Sequence, residues 1–542
     1  MAPEDPLEVG LAALAEGRWS DACDALALVT DDDPRALAGW ASALWWLGDN
    51  DASIERWTRA YTRFRQAGDD ESAAHCAVSL AIVYKANYAN LPVADGWLAR
   101  AERLLADREV GTLHGWLWIA RGYRDTDLDR AESLTTRALA EAGTDADLAL
   151  VALSQLGRIR VGRGLDDDGF RLLDEALAAA LAGDRLSLDT VAYTCCDMLA
   201  ACEQAGDLER AARWCAVADR FTQRYGCPFL YAECRIYFGA VRAATGRWAD
   251  AERELDTGLR LTAGTCPGLH ARAAVRLAML RIRQGRLSEA DALLTRIGDG
   301  ERGEEAAALA AVLLARGGAA AAVQHLQRAV QRLDHAHLPG TLDLLVDAHL
   351  AVGDLTRADA AARRLADLAS TPRLRATADA AAGRVAASSG APRDAIPPLE
   401  AALAEWTRLQ RPYEVARARF ALAGSLIQDD PEAAVRHARG ALDTFSDLGA
   451  APDADRAAAF LRDLGVRARI GPKHAGRLTQ REQEVLGLLG AGLSNPEIAG
   501  HLHVSRKTAA HHVSHILTKL GLRNRAEAAA YAATAGGPPR RS

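Results

Sequence analysis

Residues 46–52 read Trp46-Leu47-Gly48-Asp49-Asn50-Asp51-Ala52. The same beat returns along the chain: a small turn residue, an Ala four or five positions later, then an apolar helix. Gly17-Arg18-Trp19 leads to Ala22, Gly206-Asp207-Leu208 to Ala211 and Gly246-Arg247-Trp248 to Ala251. Gly285-Arg286-Leu287 leads to Ala290 and Gly353-Asp354-Leu355 to Ala358. From Gly206 the spacings are 40, 39, 32 (to Gly317), 36 (to Gly353) and 37 (to Gly390). Glycine supplies the positive φ that ends one helix, and the Ala lets the next helix pack closely on it. Between these points Ala, Leu, Arg and Glu dominate, all good helix formers. Apolar residues recur at spacings of three and four, as in Leu44, Leu47, Ile54 and Trp57. Helix–turn–helix pairs with a period of about 34–40 residues mark an α-solenoid.

The chain has 542 residues, 49% apolar and 25% charged. That is ample for a buried core, and at ~150 residues per domain it suggests three or four units. No uncharged apolar run approaches the ~18 residues of a membrane span, and the start MAPEDPLEVG has no basic leader. A cytoplasmic protein without a membrane partner is expected. Nine Cys with no C-x-x-C pair argue against a disulfide scaffold. Seven lie between Cys195 and Cys266, with Cys195 and Cys202 on one helix face. Small buried apolar residues are the favoured reading. A thiol sensor or metal cluster is the alternative, and no His or second Cys stands at zinc-site spacing to support it. His335 and His337 precede Leu338-Pro339-Gly340, where helix capping or exposure explains them better than metal ligation. No Lys follows Gly, so the P-loop is missing, as are H-E-x-x-H, G-x-S-x-G and a strand-based dinucleotide fingerprint. Neither enzymatic activity nor a cofactor is expected. An unrecognised catalytic site in the repeats is the remote alternative.

Net charge is −7, unevenly spread: residues 471–542 carry ten Lys/Arg against four Glu, leaving −13 on the rest. Lys473, Lys507 and Lys519 fall there and only Lys85 in the body. An acidic body with a basic tail suggests a nucleic-acid contact at that end. Capping signals divide the tail into four short helices. Thr479…Glu482 opens the first, and Gly490 and Gly492 end it. Ser494…Glu497 opens the second, with Pro496 in its first turn and Ile498, Ala499 and Leu502 facing inward. A turn through His503-Val504 reaches Ser505, which caps the third, and Asn524…Glu527 opens the fourth. On the third helix Ala509, Val513, Ile516, Leu517 and Leu520 form the buried stripe. The opposite stripe, Lys507, Ala510, His511, Ser514 and Thr518, has no acidic residue and little bulk. Such a face can enter a major groove, while Arg506, Lys507, Lys519, Arg523 and Arg525 can reach phosphates. A helical cap for the solenoid is the plainer alternative. His511 and His515 are spaced for a metal pair, but with no third ligand evident, DNA contact or packing is favoured.

The tail resembles the LuxR/FixJ-type helix-turn-helix. The match runs through Leu478-Thr479, Arg481-Glu482, Glu484-Val485-Leu486, Gly492-Leu493-Ser494-Asn495, Glu497-Ile498-Ala499 and Val504-Ser505. It continues through Lys507-Thr508, His512-Val513-Ser514, Ile516-Leu517, Lys519-Leu520-Gly521 and Arg525-Ala526-Glu527-Ala528. The resemblance implies a helix-turn-helix from Asn495 to Ser514, a recognition helix from Lys507 to Leu520, and a final helix that pairs two modules on DNA. Family members often carry Val where Ala509 stands and a charged residue where Ala510 stands, so His511 and Ser514 become the better base readers. His512 matches the family's own His and braces the module or meets a phosphate. Residues 7–465 resemble tetratricopeptide repeats, with residues 46–52 similar to the W-x-x-L-G…A signature with slippage; a generic α-solenoid is the alternative. Such arrays bind through a concave surface, unless this one is a spacer or oligomerisation arm.

The expected fold is therefore all-α: a tetratricopeptide-like solenoid (1–465), a linker (466–477), a four-helix LuxR-type domain (478–535) and a disordered tail (536–542). The expected function is a bacterial transcription regulator, leaning to activation, without the P-loop ATPase that large members of the family carry. The expected DNA-binding residues are Arg506, Lys507, Thr508, Ala510, His511, His512, Ser514, His515, Thr518, Lys519, Arg523 and Arg525. The expected partners are promoter DNA, RNA polymerase, a second copy on DNA, and a protein, peptide or small molecule at the repeats. A repeat scaffold with a vestigial DNA module is the competing reading.

Overall fold

The repeat beat is a helix stop followed at once by a helix start. Gly48 (φ 87°) and Gly206 (φ 78°) take the left-handed conformation that closes the preceding helix. The next residue caps the following helix: the Asp207 carboxylate accepts from the Arg210 amide at 2.9 Å, and Asp354 from that of Arg357 at 3.0 Å. Five residues past the glycine, Ala22, Ala211, Ala251, Ala290 and Ala358 are fully buried where adjacent helices approach. The Gly48 repeat differs from its sequence reading. Ala52 is only half-buried, and Ser53 takes the close-packed position, its hydroxyl donating to the Ala41 carbonyl at 2.8 Å.

The computed structural model describes residues 5–29, 33–125, 127–297, 303–331, 338–466, 480–502, 505–520, 522 and 524–535. Most of the expected linker (467–477), the tail (536–542), Thr479, His503-Val504, His335 and His337 lie outside the described residues. Among those described there are helices and turns and no strand. No helix among them is long and apolar enough to cross a membrane. The chain divides into two compact units, Met1–Leu464 and Gly465–Ser542.

The first unit is an α-solenoid with two layers. Each helix packs on the next, and alternate helices also pack on one another: Asp70–Ala86, Thr112–Arg124, Ala146–Gly162, Asp189–Ala205, Pro228–Ala244 and Pro267–Arg283 form a continuous inner layer. The solenoid then closes on itself. Pro34–Leu47 touches Pro228–Ala244, Asp70–Ala86 touches Pro267–Arg283, and Pro267–Arg283 touches Ala451–Asp463. Each of these contacts joins helices ten apart in chain order, so five helix pairs complete one superhelical turn.

The aromatic residues of the beat make that closure. Trp46 stacks on Trp19 at 4.5 Å and lies 6.3 Å from Phe221, while its indole N–H donates to Asp189 Oδ1 at 2.7 Å. The Asn50 amide donates to the Thr265 carbonyl at 2.7 Å, and the Gly268 amide to the Asn87 carbonyl at 2.7 Å. The cysteines lie in this same core. Cys195, Cys202, Cys215, Cys227, Cys234 and Cys266 are buried with Met198, Phe221 and Leu230, and all nine thiols are free. Burial pushes Cys195, Cys202, Cys227 and Cys266 up, Cys227 to about 12 and likewise Cys76 in the neighbouring core, which fits packing residues better than reactive thiols. The first unit holds a cavity of about 2820 Å³, lined by inner-layer residues such as Lys85, Arg158 and Arg276 and by later helices through Arg373 and Arg417.

Candidate nucleic-acid interface

The second unit has four described helices, Gln480–Gly490, Asn495–His501, Arg506–Leu520 and Arg525–Ala535. Val485, Leu489, Ile498, Ala499, Ala509, Val513, Ile516 and Ala528 bury together, with Leu493, Leu502, Leu517 and Leu522 packed around them. Gly490 marks the contact of first and fourth helices, since a Cβ there would lie 2.8 Å from the Ala532 methyl. Gly492 turns the chain at φ 84°.

Side chains fix the starts of the second, third and fourth helices. Glu497 accepts from the Ser494 amide at 2.7 Å and from its hydroxyl at 2.5 Å. Those bonds hold the Glu497 carboxyl below its ordinary value. Ser505 Oγ accepts from the Thr508 amide at 3.1 Å and caps the third helix. Asn524 Oδ1 accepts from the Glu527 amide at 3.0 Å and caps the fourth. The second and third helices, in direct contact, have the arrangement of a helix-turn-helix.

The third helix presents two faces. Ala509, Val513 and Ile516 are buried and Leu517 is half-buried, following the expected stripe as far as Leu517; the Leu520 side chain is outside the described residues. Arg506, Thr508, Ala510 and Ser514 are exposed and His512 is half-buried. Lys507, His511, His515, Thr518 and Lys519 lie on this helix, but their side chains are outside the described residues, as is Arg523 altogether. Arg525 has a role that the sequence reading did not give it. It is half-buried, and its Nη1 donates to Asn495 Oδ1 at 2.9 Å. That bond ties the start of the fourth helix to the start of the second, while the Arg525 Nη2 atom is buried. Arg525 therefore braces the unit through this bond. Asn495, passed over as a site residue, is its partner.

Residues 476–532 match the family model described as bacterial regulatory proteins, luxR family. The C-terminal unit is a LuxR-type helix-turn-helix domain. Similar proteins include the transcriptional regulatory protein LnrK of Bacillus subtilis, 49% identical over 72 residues, which are 13% of this chain and 33% of that protein. The response regulator protein VraR of Staphylococcus aureus is 49% identical over 55 residues, 10% of this chain and 26% of VraR. The putative HTH-type regulator Mb0914c of Mycobacterium bovis is 41% identical over 91 residues, 17% of this chain and 10% of its length. The chain thus spans a third or less of the length of the curated relatives it matches, and the likeness belongs to the LuxR-type domain. Solved structures covering the repeats include the APC/C Cut9–Hcn1 hetero-tetramer (15% identity, 84% of this chain, 96% of that one, TM-score 0.37) and yeast Tom70 (13%, 80%, 98%, 0.33).

Proposed function

We propose that this chain is a DNA-binding transcription regulator whose repeat unit receives a signal and whose LuxR-type domain binds promoter DNA. The observation that carries the proposal is the third helix, with one side buried in the domain core and the other presenting Arg506, Thr508, Ala510 and Ser514 to solvent. A helix so mounted enters the major groove with its first turns against base edges. In this reading Arg506, Lys507, Lys519 and Arg523 anchor phosphates, His511 and Ser514 read bases, and Thr508, Ala510, His512, His515 and Thr518 line the same contact. Arg525 acts by holding the second helix in place. One small module buries limited surface on DNA, which supports binding as a homodimer. Recruitment of RNA polymerase, an activating role, a cytoplasmic place and the lack of catalysis belong to the same proposal.

The test is a gel shift of the full chain, and of a chain ending at residue 466, on promoter fragments. The full chain retards the DNA and the shortened chain does not. Equal behaviour of the two chains defeats the proposal and leaves a repeat scaffold.

A further inference from the structure

The cavity side of the solenoid is laced by arginine–carboxylate pairs that join different helices. Arg158 meets Asp197 at 2.8 Å, Arg276 meets Glu203 at 2.7 Å, and Arg417 meets Asp347 at 3.0 Å. Arg283 reaches Glu414 at 3.6 Å. Two guanidiniums lining the same cavity depart from this rule. Arg373 and Arg411 make no ion pair and no side-chain hydrogen bond among the described residues. Arg411 is 6% exposed and its Nε is buried without a partner. Both feel Glu203 and Glu414, and Arg411 also feels Arg373; Arg276 already engages Glu203, while Arg283 only reaches Glu414, whose Oε2 is buried without a hydrogen-bond partner. Arg276, Arg283, Arg373 and Arg411 thus stand around Glu203 and Glu414, with Asp343, paired to Arg384 and Arg417, also acting on Arg283. Burial depresses both unpaired arginines, whereas it fails to depress the paired Arg272 and Arg417, which are raised. An unpaired buried charge is costly, and unneutralised guanidiniums are the groups that clamp phosphate and carboxylate oxygens.

We propose that Arg373 and Arg411 form the anion-binding end of a ligand site in the solenoid cavity, and that its ligand is a small molecule bearing a dianionic group, a phosphate monoester or a dicarboxylate. A small molecule fits better than a folded partner because successive turns shut the flank of the cavity. Gly164 lies against Pro372, Gly206 against the Arg411 guanidinium, and Gly246 against Pro412 and Leu448. Lys85 lines the same cavity over the Tyr123 ring at 4.8 Å, with no ion pair among the described residues, and offers a second anchor for a longer ligand. The inference rests on the reading that the repeats receive a signal, and gives that signal a chemical class.

The test uses the full chain. All eleven Trp lie at or before Trp406, so tryptophan fluorescence follows the repeat unit alone. Thermal unfolding is recorded with inorganic phosphate, pyrophosphate, succinate or chloride at matched ionic strength. Phosphate and pyrophosphate raise the wild-type Tm above chloride if the ligand is a phosphate, succinate if it is a dicarboxylate. Arg373→Gln and Arg411→Gln each weaken the effective anion by at least tenfold and, without anion, unfold at or above the wild-type temperature. No dianion effect beyond chloride overturns the proposal, and so does an undiminished effect in both variants. Should Arg411→Gln not fold, Arg373→Gln decides by the same criteria. DNA retardation is scored separately: dianion stabilisation without DNA binding upholds the site and defeats the regulator reading, and the converse result does the opposite.

Discussion

The superhelical closure makes a prediction at Asp189. Its carboxylate takes the Trp46 indole N–H across the turns at 2.7 Å. Burial pushes its pKa from 3.8 to about 6, against the opposing pull of the Trp46 donor and with Asp147 nearby adding to the rise. A folded-state value above the unfolded one means that protonation favours folding. Below pH 4 the group is protonated in both states and costs nothing. Between 4 and 6 the unfolded chain ionises first, and above 6 the full cost is present. Two pK units correspond to about 3 kcal/mol, and the half-buried side chain reduces this, giving about 1–3 kcal/mol. Asp189→Asn keeps an oxygen for the indole and removes the charge. In urea titrations followed by tryptophan fluorescence it should therefore stabilise the repeats at pH 7.5, with the gain gone below pH 4. A loss of stability at pH 7.5, or a gain of equal size at both pH values, would refute the reasoning.

Other outcomes follow from particular contacts. Gly246→Ala and Gly353→Ala both place a methyl at positive φ, for about 1–2 kcal/mol. Only at Gly246 does the new Cβ come within 2.8 Å of Pro412 and 2.9 Å of Leu448, so its Tm should fall further, by about 1–3 kcal/mol of extra cost. Ser505→Ala removes the cap of the third helix, for about 1 kcal/mol, read as faster amide exchange over residues 506–510. On DNA, Lys507→Ala should weaken binding to all sequences and lower the salt slope by about 0.9 per subunit. His511→Ala should cost about 1–3 kcal/mol on the operator alone, and matched losses on random DNA would remove His511 as a base reader.

The helix pairs were legible because their punctuation is local: Gly206 needs positive φ and Asp207 caps the next helix within four residues. The packing stripe of the third helix was legible for the same reason, and Ala509, Val513 and Ile516 are buried. What the sequence hid is what joins residues far apart. Nothing in the text links Trp46 to Asp189 or Asn50 to Thr265, so the contact between successive turns could not be read from it. The bond from Arg525 to Asn495 was hidden because the two stand 30 residues apart. Arg373 and Arg411 were lost among the many arginines, since only the fold separates paired from unpaired ones. The single lysine of the body, Lys85, was the one visible hint of an unusual interior.

The central claim is that the C-terminal unit reads DNA for the whole chain. Its most direct test is selection of random duplex DNA by the full chain, repeated with Lys507→Ala and with the chain ending at residue 466. The account predicts a recurrent, two-fold related motif from the full chain, weaker retention of all DNA by the lysine variant, and none by the shortened chain. Enrichment of no motif, or equal retention by the shortened chain, would contradict it.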